Sequence, residues 1–507
     1  MDYPDIDVIR VDDTYYMVST TMHFMPGGAI LRSYDLINWE IASYVYDTLD
    51  DTEAQRLVDD KNIYGKGMWA ASLRYHNGTF YVCFAANDTG KTYLFMTENI
   101  EGPWRKQYIE GFYHDSSLLF DDDRVFIVYG NRNVHLTELN KDLTAKKPGG
   151  LDRIIISEEN PILGYEGAHI YKINGKYYVF LIHSLPDRWF RAEACYSSDS
   201  LEGEFVGGDV LVDDMEYHNS GVAQGGIVDT PDGKWYGILF QDRGAIGRVP
   251  VLVPMEFKDG NVIMGVDGKV PKDVATNSTR PGYNYEPLYA SDDFNYQADS
   301  EGKINLKKVW QWNHNPDNKL WSVTDNPGHL RITTGKLCDN LTQAVNTLTQ
   351  RMIFPQCEAY VTVDGSNLKD GDYAGISAFQ GCYGLVALHK DQGQYYLVMQ
   401  GREPVDSKEK TNNYNGTEYE RIPWNNDKVV LKVKGNFADM IDEADFYYTD
   451  SVNKNEINDS SWKKIGPTHK LYFKLDHFCG CRFGLFTYST KEIGGSADFS
   501  DFCYITQ

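Results

Sequence analysis

The chain has 507 residues, with 49 Lys and Arg against 73 Asp and Glu, so its formal charge is −24. A surface this acidic is a poor partner for nucleic acid, whose phosphates require basic side chains, and equally for an anionic membrane face. No run of about 18 apolar residues is present, so no membrane-spanning helix is expected.

Aromatic residues make up 14% of the chain, 36 of them Tyr. Such side chains favour half-buried strands and offer flat faces with a polar edge. From the N-terminus, a short strand, a tight polar turn and an aromatic-rich strand recur five times in residues 1–245. The copies start at Pro4, Met68, His114, Tyr165 and Ala223. Three of the turns contain Asn-Gly or Asp-Gly, at Asn77, Asn174 and Asp232. These dipeptides supply the positive φ angles of a two-residue hairpin. The first four copies are followed by a second motif (Ser33–Trp39, Thr97–Trp104, Thr137–Leu143 and Ser197–Phe205), read as the turn into an outer strand. The spacing is blade-sized and no helical periodicity intervenes, so residues 1–285 are expected to form a five-bladed β-propeller.

Aligning the copies by their turns singles out the residue seven or eight positions earlier: Asp5, Trp69, Asp115, Glu166 and Gln224. Equivalent positions in a propeller lie at one height around one axis. The register therefore brings three carboxylates, a Trp and an amide to one end of the central channel. Two chemistries suit such a funnel: binding a metal through oxygen ligands, or acid–base cleavage of a glycosidic bond. Inverting hydrolysis needs one carboxylate to activate water and a protonated acid on the leaving oxygen. A third carboxylate beside the acid raises its pKa by repulsion.

Residues 270–290 are rich in Pro, Gly and Asn and read as a linker or strap. Beyond them, short alternating strands such as Ala359–Val363, Gln394–Met399 and Lys428–Val433 predict an all-β, jelly-roll-like sandwich over residues 286–507. Asn412–Tyr419 reads as a loop. Asp292 and Asp293 at one end and Asp498 and Asp501 at the other are expected to meet where first and last strands pair, around a structural Ca²⁺. Trp310 and Trp312 read as core. The eight Cys contain no C-x-x-C pair and are expected to be free thiols.

Asp2-Tyr-Pro-Asp-Ile-Asp7, Asp115-Ser-Ser-Leu118 and Glu166-Gly-Ala-His169 resemble glycoside hydrolase family 43. So do Gly67-Met-Trp-Ala-Ala71, Pro26-Gly-Gly28, the run ending at Trp39, and Gly247-Arg248. The segments Trp310–Pro316 and Asn346–Arg351 resemble the C-terminal sandwich of its β-xylosidase and arabinofuranosidase members. The resemblance implies an inverting five-bladed propeller in which Asp5 is the general base and Glu166 the general acid. Asp115 would raise the pKa of the acid and orient it. Trp69 would wall the sugar pocket, Arg248 would donate hydrogen bonds near the acid or the sugar, and His23 and Phe24 would also line the pocket. Many members bind a central metal through a His at the fifth-blade position. Gln224 stands there in this chain, so a hard ion such as Ca²⁺ is the expected cofactor.

The implied activity is exo-hydrolysis of non-reducing β-D-xylosyl or α-L-arabinofuranosyl residues from xylan-derived oligosaccharides. Two alternatives stay open from the residues: an endo-acting arabinanase, which needs an open groove, and a non-catalytic carbohydrate-binding propeller. Residues 1–20 lack a basic segment followed by an apolar one, so no signal peptide is expected. The expected location of such a bacterial enzyme is the cytoplasm, with a trimmed secreted form as the alternative.

Overall fold

Each of the five repeats folds into a four-stranded antiparallel sheet; four of them use consecutive strands, and the first skips the short strand Phe24–Met25. This computed structural model describes all residues except 301, 404–414, 452–456, 473, 475, 476 and 507. The innermost strands are Asp7–Val11, Met68–His76, Ser117–Asp121, Glu166–Ile173 and Ala223–Asp229. The second motif leads into the outermost strand in the four blades that carry it: Glu40–Tyr46, Arg105–Ile109, Asp152–Ser157 and Val206–Leu211. No helix among the described residues is long and apolar enough to cross a membrane.

Asn77-Gly78 and Asn174-Gly175 have φ of 49° and 79°, and of 51° and 80°. Those are the paired positive angles that match the twist of the flanking strands. Asp232 departs from this expectation. Its hairpin closes on Asp229 and Trp235, and Gly233 N donates to Thr230 O at 2.9 Å. Only Gly233 of this turn has positive φ, so the turn is wider, with Pro231 fixing its entry.

Two side chains, Arg74 and Tyr171, together join the five blades at the axis. The Arg74 guanidinium, on the second inner strand, donates to Asp7 Oδ2 of the first at 2.5 Å. It also donates to Ser117 Oγ at 2.6 Å and Leu118 O at 2.9 Å of the third, and to Ile170 O of the fourth at 3.3 Å. Beneath it lies the Tyr171 ring, 4.9 Å away, whose hydroxyl accepts Ile227 N of the fifth at 3.0 Å. Asp7 also receives Leu73 N at 2.8 Å and its own neighbour Val8 N at 3.0 Å. Burial alone would raise the Asp7 carboxyl, but Arg74 and His169 outweigh it and hold it at about 2. The ring closes where Tyr3 N donates to Arg248 O at 2.9 Å and Arg10 pairs with Asp229 at 2.5 Å.

Residues 270–290 form a strap along the first blade. Thr279 Oγ1 donates to Asp13 O at 2.6 Å, Arg280 pairs with Asp13 at 2.7 Å, and Tyr283 donates to Glu40 at 2.6 Å. The chain then enters a sandwich of two large antiparallel sheets. Gln356–Asp364 alternates strictly between buried and half-buried residues, as a strand with one covered face must. Asp372–Phe379 is buried at every position because its sheet is covered on both faces. Ala359–Val363, Gln394–Met399 and Lys428–Val433 all lie in strands. Of the Asn412–Tyr419 loop, residues 412–414 lie outside the described residues, and a strand starts at Thr417. Trp310 and Trp312 are buried. All eight cysteines are free, six of them buried.

The two domains share a sheet. Phe24-Met25 of the first blade pairs with Trp312-Asn313 at the edge of one sandwich sheet. Sequence reasoning placed His23 and Phe24 in the sugar pocket; the structure places both in this interdomain core. His23 is fully buried against Tyr64, His314 and His477, at ring separations of 4.7, 5.2 and 5.7 Å. Phe24 lies under the Arg482 guanidinium at 3.5 Å. The sandwich that covers both residues is distant in sequence, so their burial was not legible there.

The four acids proposed for a structural Ca²⁺ also find other partners. The end strands do meet, through a bridge between Asp292 and Phe502. Asp292, however, accepts from Trp310 Nε1 at 2.8 Å and from the Tyr296 hydroxyl. Asp498 takes a two-pronged contact from Arg331, 2.7 Å on each oxygen, and Asn326 Nδ2 at 2.9 Å. Asp293 accepts Asn295 N at 3.1 Å. Asp501 is not gathered with them into any group of metal-ligating atoms among the described residues. Asp292 and Asp498 thus give their carboxylate oxygens to protein donors.

Candidate active site

Asp5, Trp69, Asp115, Glu166 and Gln224 line one cavity of about 400 Å³ at an end of the propeller axis. Arg248 lines it too, as do Met22, His114, Asn131, Leu163, Trp189 and Arg191, and Phe478 from the sandwich. Local backbone breaks aim the five in-register residues inward. Asp5, Asp115 and Gln224 adopt left-handed φ of 51°, 45° and 56°, uncommon outside glycine. Bulges follow Met68, Glu166 and Ala223, where one extra residue re-aims the strand end. Gly167 has φ of 62°, and a Cβ there would lie 2.7 Å from Gln224 Cδ, so glycine is what lets the amide pack behind the acid.

The three carboxylates differ in environment. The Asp5 side chain is 6% exposed and accepts from Arg248 Nη1. Burial lifts its carboxyl above the usual range, while Arg248 and Arg191 oppose the lift. The Glu166 side chain is 21% exposed and accepts from Asn131 Nδ2 on Oε2. Asp115 is buried, and burial together with the charges of Glu166 and Asp5 raises it to about 7 against the pull of His114. One group thus lies deep, held by the Arg248 guanidinium, and another nearer solvent, where Asn131 and His114 both reach its Oε2. That division suits a base and an acid.

His114 was missed by the register, although it immediately precedes Asp115. Its Nε2 is 3.5 Å from both Asp115 Oδ2 and Glu166 Oε2, and its ring packs edge-on to Trp69 at 5.3 Å. Burial alone would lower it, but the two carboxylates raise it to about 9. Arg191, also missed, is buried and pairs with Asp242 at 2.5 Å. Among the described residues its Nε has no acceptor, and neither has Trp69 Nε1. Sugar hydroxyls are suitable acceptors for such donors.

The sandwich supplies one wall. The Phe478 ring lies 5.8 Å from Trp69 and 5.7 Å from the Arg248 guanidinium. It is pinned two residues on, where Gly480 N donates to the buried Asp2 Oδ2 at 2.9 Å, while Asp2 Oδ1 accepts Arg248 N at 2.8 Å. Gly247 has φ of 95°, and a side chain there would overlap Asp2 and Gly480, so this junction requires glycine.

Residues 1–262 match the profile of glycosyl hydrolases family 43, and residues 297–505 match that of the β-xylosidase C-terminal concanavalin A-like domain. The chain belongs to glycosyl hydrolase family 43. Among family 43 relatives it is 27% identical to a β-xylosidase of Formosa agariphila, over 99% of this chain and 88% of that protein. It is 26% identical to a non-reducing end α-L-arabinofuranosidase of Bacteroides ovatus, over 65% of this chain and 63% of that one. Its fold superposes on a bifunctional GH43-CE protein of Bacteroides eggerthii with a TM-score of 0.89 and 42% identity. That alignment covers all of this chain and 63% of the other, so the chain spans less than two thirds of that family 43 protein.

Proposed function

We propose that this glycoside hydrolase acts from the non-reducing end and inverts the anomeric carbon. It releases β-D-xylosyl or α-L-arabinofuranosyl residues from xylan- or arabinoxylan-derived oligosaccharides. The observation that carries the reading is the division of labour in the cavity, with Asp5 deep beside Arg248 and Glu166 nearer solvent beside Asn131 and His114. Asp5 takes a proton from water as that water attacks the anomeric carbon. Glu166 gives its proton to the departing oxygen. Asp115, linked to Glu166 through His114, orients the acid. A cavity of about 400 Å³, walled by Phe478, is at the small end of roughly 300–1,000 Å³ for ligand sites. It admits a chain end more readily than a chain middle, which favours exo action over an arabinanase groove. Names of relatives that combine xylosidase and arabinosidase support both sugars.

Hydrolysis of matched aryl β-D-xyloside and aryl α-L-arabinofuranoside tests this reading. Turnover of at least one is expected, and the ratio of kcat/KM names the preferred sugar. Turnover of neither, with cleavage of linear arabinan instead, would select the endo reading. Binding of oligosaccharide without any turnover would select the lectin-like one.

An ion at the floor of the cavity belongs to the same proposal. Gln224 offers an amide oxygen, and Gln224 N occupies one oxygen of buried Glu193, while the other has no partner among the described residues. An amide and a carboxylate suit a hard cation such as Ca²⁺. When bound, it would neutralise Glu193 and brace the fifth-blade wall. Calcium added back to chelated protein is expected to raise the melting temperature, a readout independent of turnover.

A further inference from the structure

His114 is not required by the acid–base pair, yet it stands between two carboxylates that face each other. Its Nε2 is equidistant, at 3.5 Å, from Asp115 Oδ2 and Glu166 Oε2. Asn131 Nδ2 donates to the same Glu166 oxygen. Two nitrogens directed at Oε2 make it the accepting oxygen and leave Oε1 to carry the acid's proton. The inner wall is Trp69, an uncharged ring.

We propose that His114 is a positioning residue for the general acid: its imidazolium holds Asp115 and Glu166 together, orients the proton of Glu166, and sets the upper pH limit of turnover. The proposal rests on the reading of Glu166 as the acid. The charged groups that bear on His114 are Asp115 beside it, Glu166 on the fourth blade and Asp5 on the first. Arg248 acts on the far side of Asp115. A cation within about 4–6 Å of a carboxyl group favours its charged form, so loss of the cation favours the protonated one. His114 is partly exposed, and its ring fills no deep core position.

The test is the pH profile of kcat/KM for His114→Phe and His114→Lys beside the wild type, with melting temperatures to confirm folding. The alkaline limb is expected to move up by about 1–3 pH units in His114→Phe. His114→Lys, which retains a cation, is expected to keep the limb within about half a unit of wild type. A limb unmoved in His114→Phe, or moved equally in both variants, would overturn the proposal. An inactive wild type would instead overturn the reading of Glu166 on which it rests.

Discussion

Replacing Glu166 by Gln lowers kcat/KM on xylobiose by about 10²–10⁴-fold, the usual range for a general acid or base. The loss shrinks sharply on a dinitrophenyl xyloside, whose leaving group departs without a proton. Replacing Asp5 by Asn gives a loss of similar size on both substrates, because activation of water is needed whatever departs. This contrast follows from placement. The Glu166 side chain is 21% exposed, whereas that of Asp5 is 6% exposed and paired with Arg248. Asn131 and Arg248 are positioned to hold the replaced side chains, so neither isosteric change should unfold the chain. Steady-state kinetics with the two leaving groups checks the assignment. Equal losses for Glu166→Gln on both substrates would remove it from the acid's role.

The second large effect is on stability. Arg74→Met is expected to cost about 3–5 kcal/mol, the range for removing one partner of a buried ion pair. The change strands Asp7, which is fully buried, and also strips donors from Ser117, Leu118 and Ile170. Equilibrium unfolding in urea measures the cost. Adding Asp7→Asn to Arg74→Met should return part of it, because the orphaned charge is gone. The sign of the pH dependence follows from Asp7. Its folded pKa of about 2 lies below that of the unfolded chain. Its contribution is therefore complete above the unfolded value near 4 and is lost as pH falls through 2. Arg74→Met should remove that acid-side dependence along with the stability.

The hairpin turns made the repeat legible. Polar pairs such as Asn77-Gly78 mark each blade, and counting back from them reached all five cavity residues in register. Residues off that register were not legible. Arg191 and Trp189 belong to the return from the second to the third strand of the fourth blade, Asn131 to the same return in the third, and Phe478 comes from the other domain. Only contact across distant sequence brings them in. His114 was adjacent to a chosen carboxylate, but adjacency in a strand head says little about direction until φ at Asp115 turns positive. His23 and Phe24 illustrate the opposite error. They were expected to line the pocket, but Phe24 pairs with Asn313 at the sandwich edge and His23 is buried in the turn before it. The acids at the sandwich ends were read correctly as meeting, since Asp292 pairs with Phe502. Two of their carboxylates take protein donors, Asp292 from Trp310 and Tyr296 and Asp498 from Arg331, a pairing that needed contacts distant in sequence.

The central claim is direct displacement by a water that Asp5 activates. Proton NMR of the sugar released from an aryl β-D-xyloside, recorded in the first minutes before mutarotation, tests it most directly. The account predicts that the α-anomer of xylose appears first and the β-anomer follows as the mixture equilibrates. Initial release of the β-anomer would mean retention through a covalent intermediate and would contradict the roles assigned to both Asp5 and Glu166.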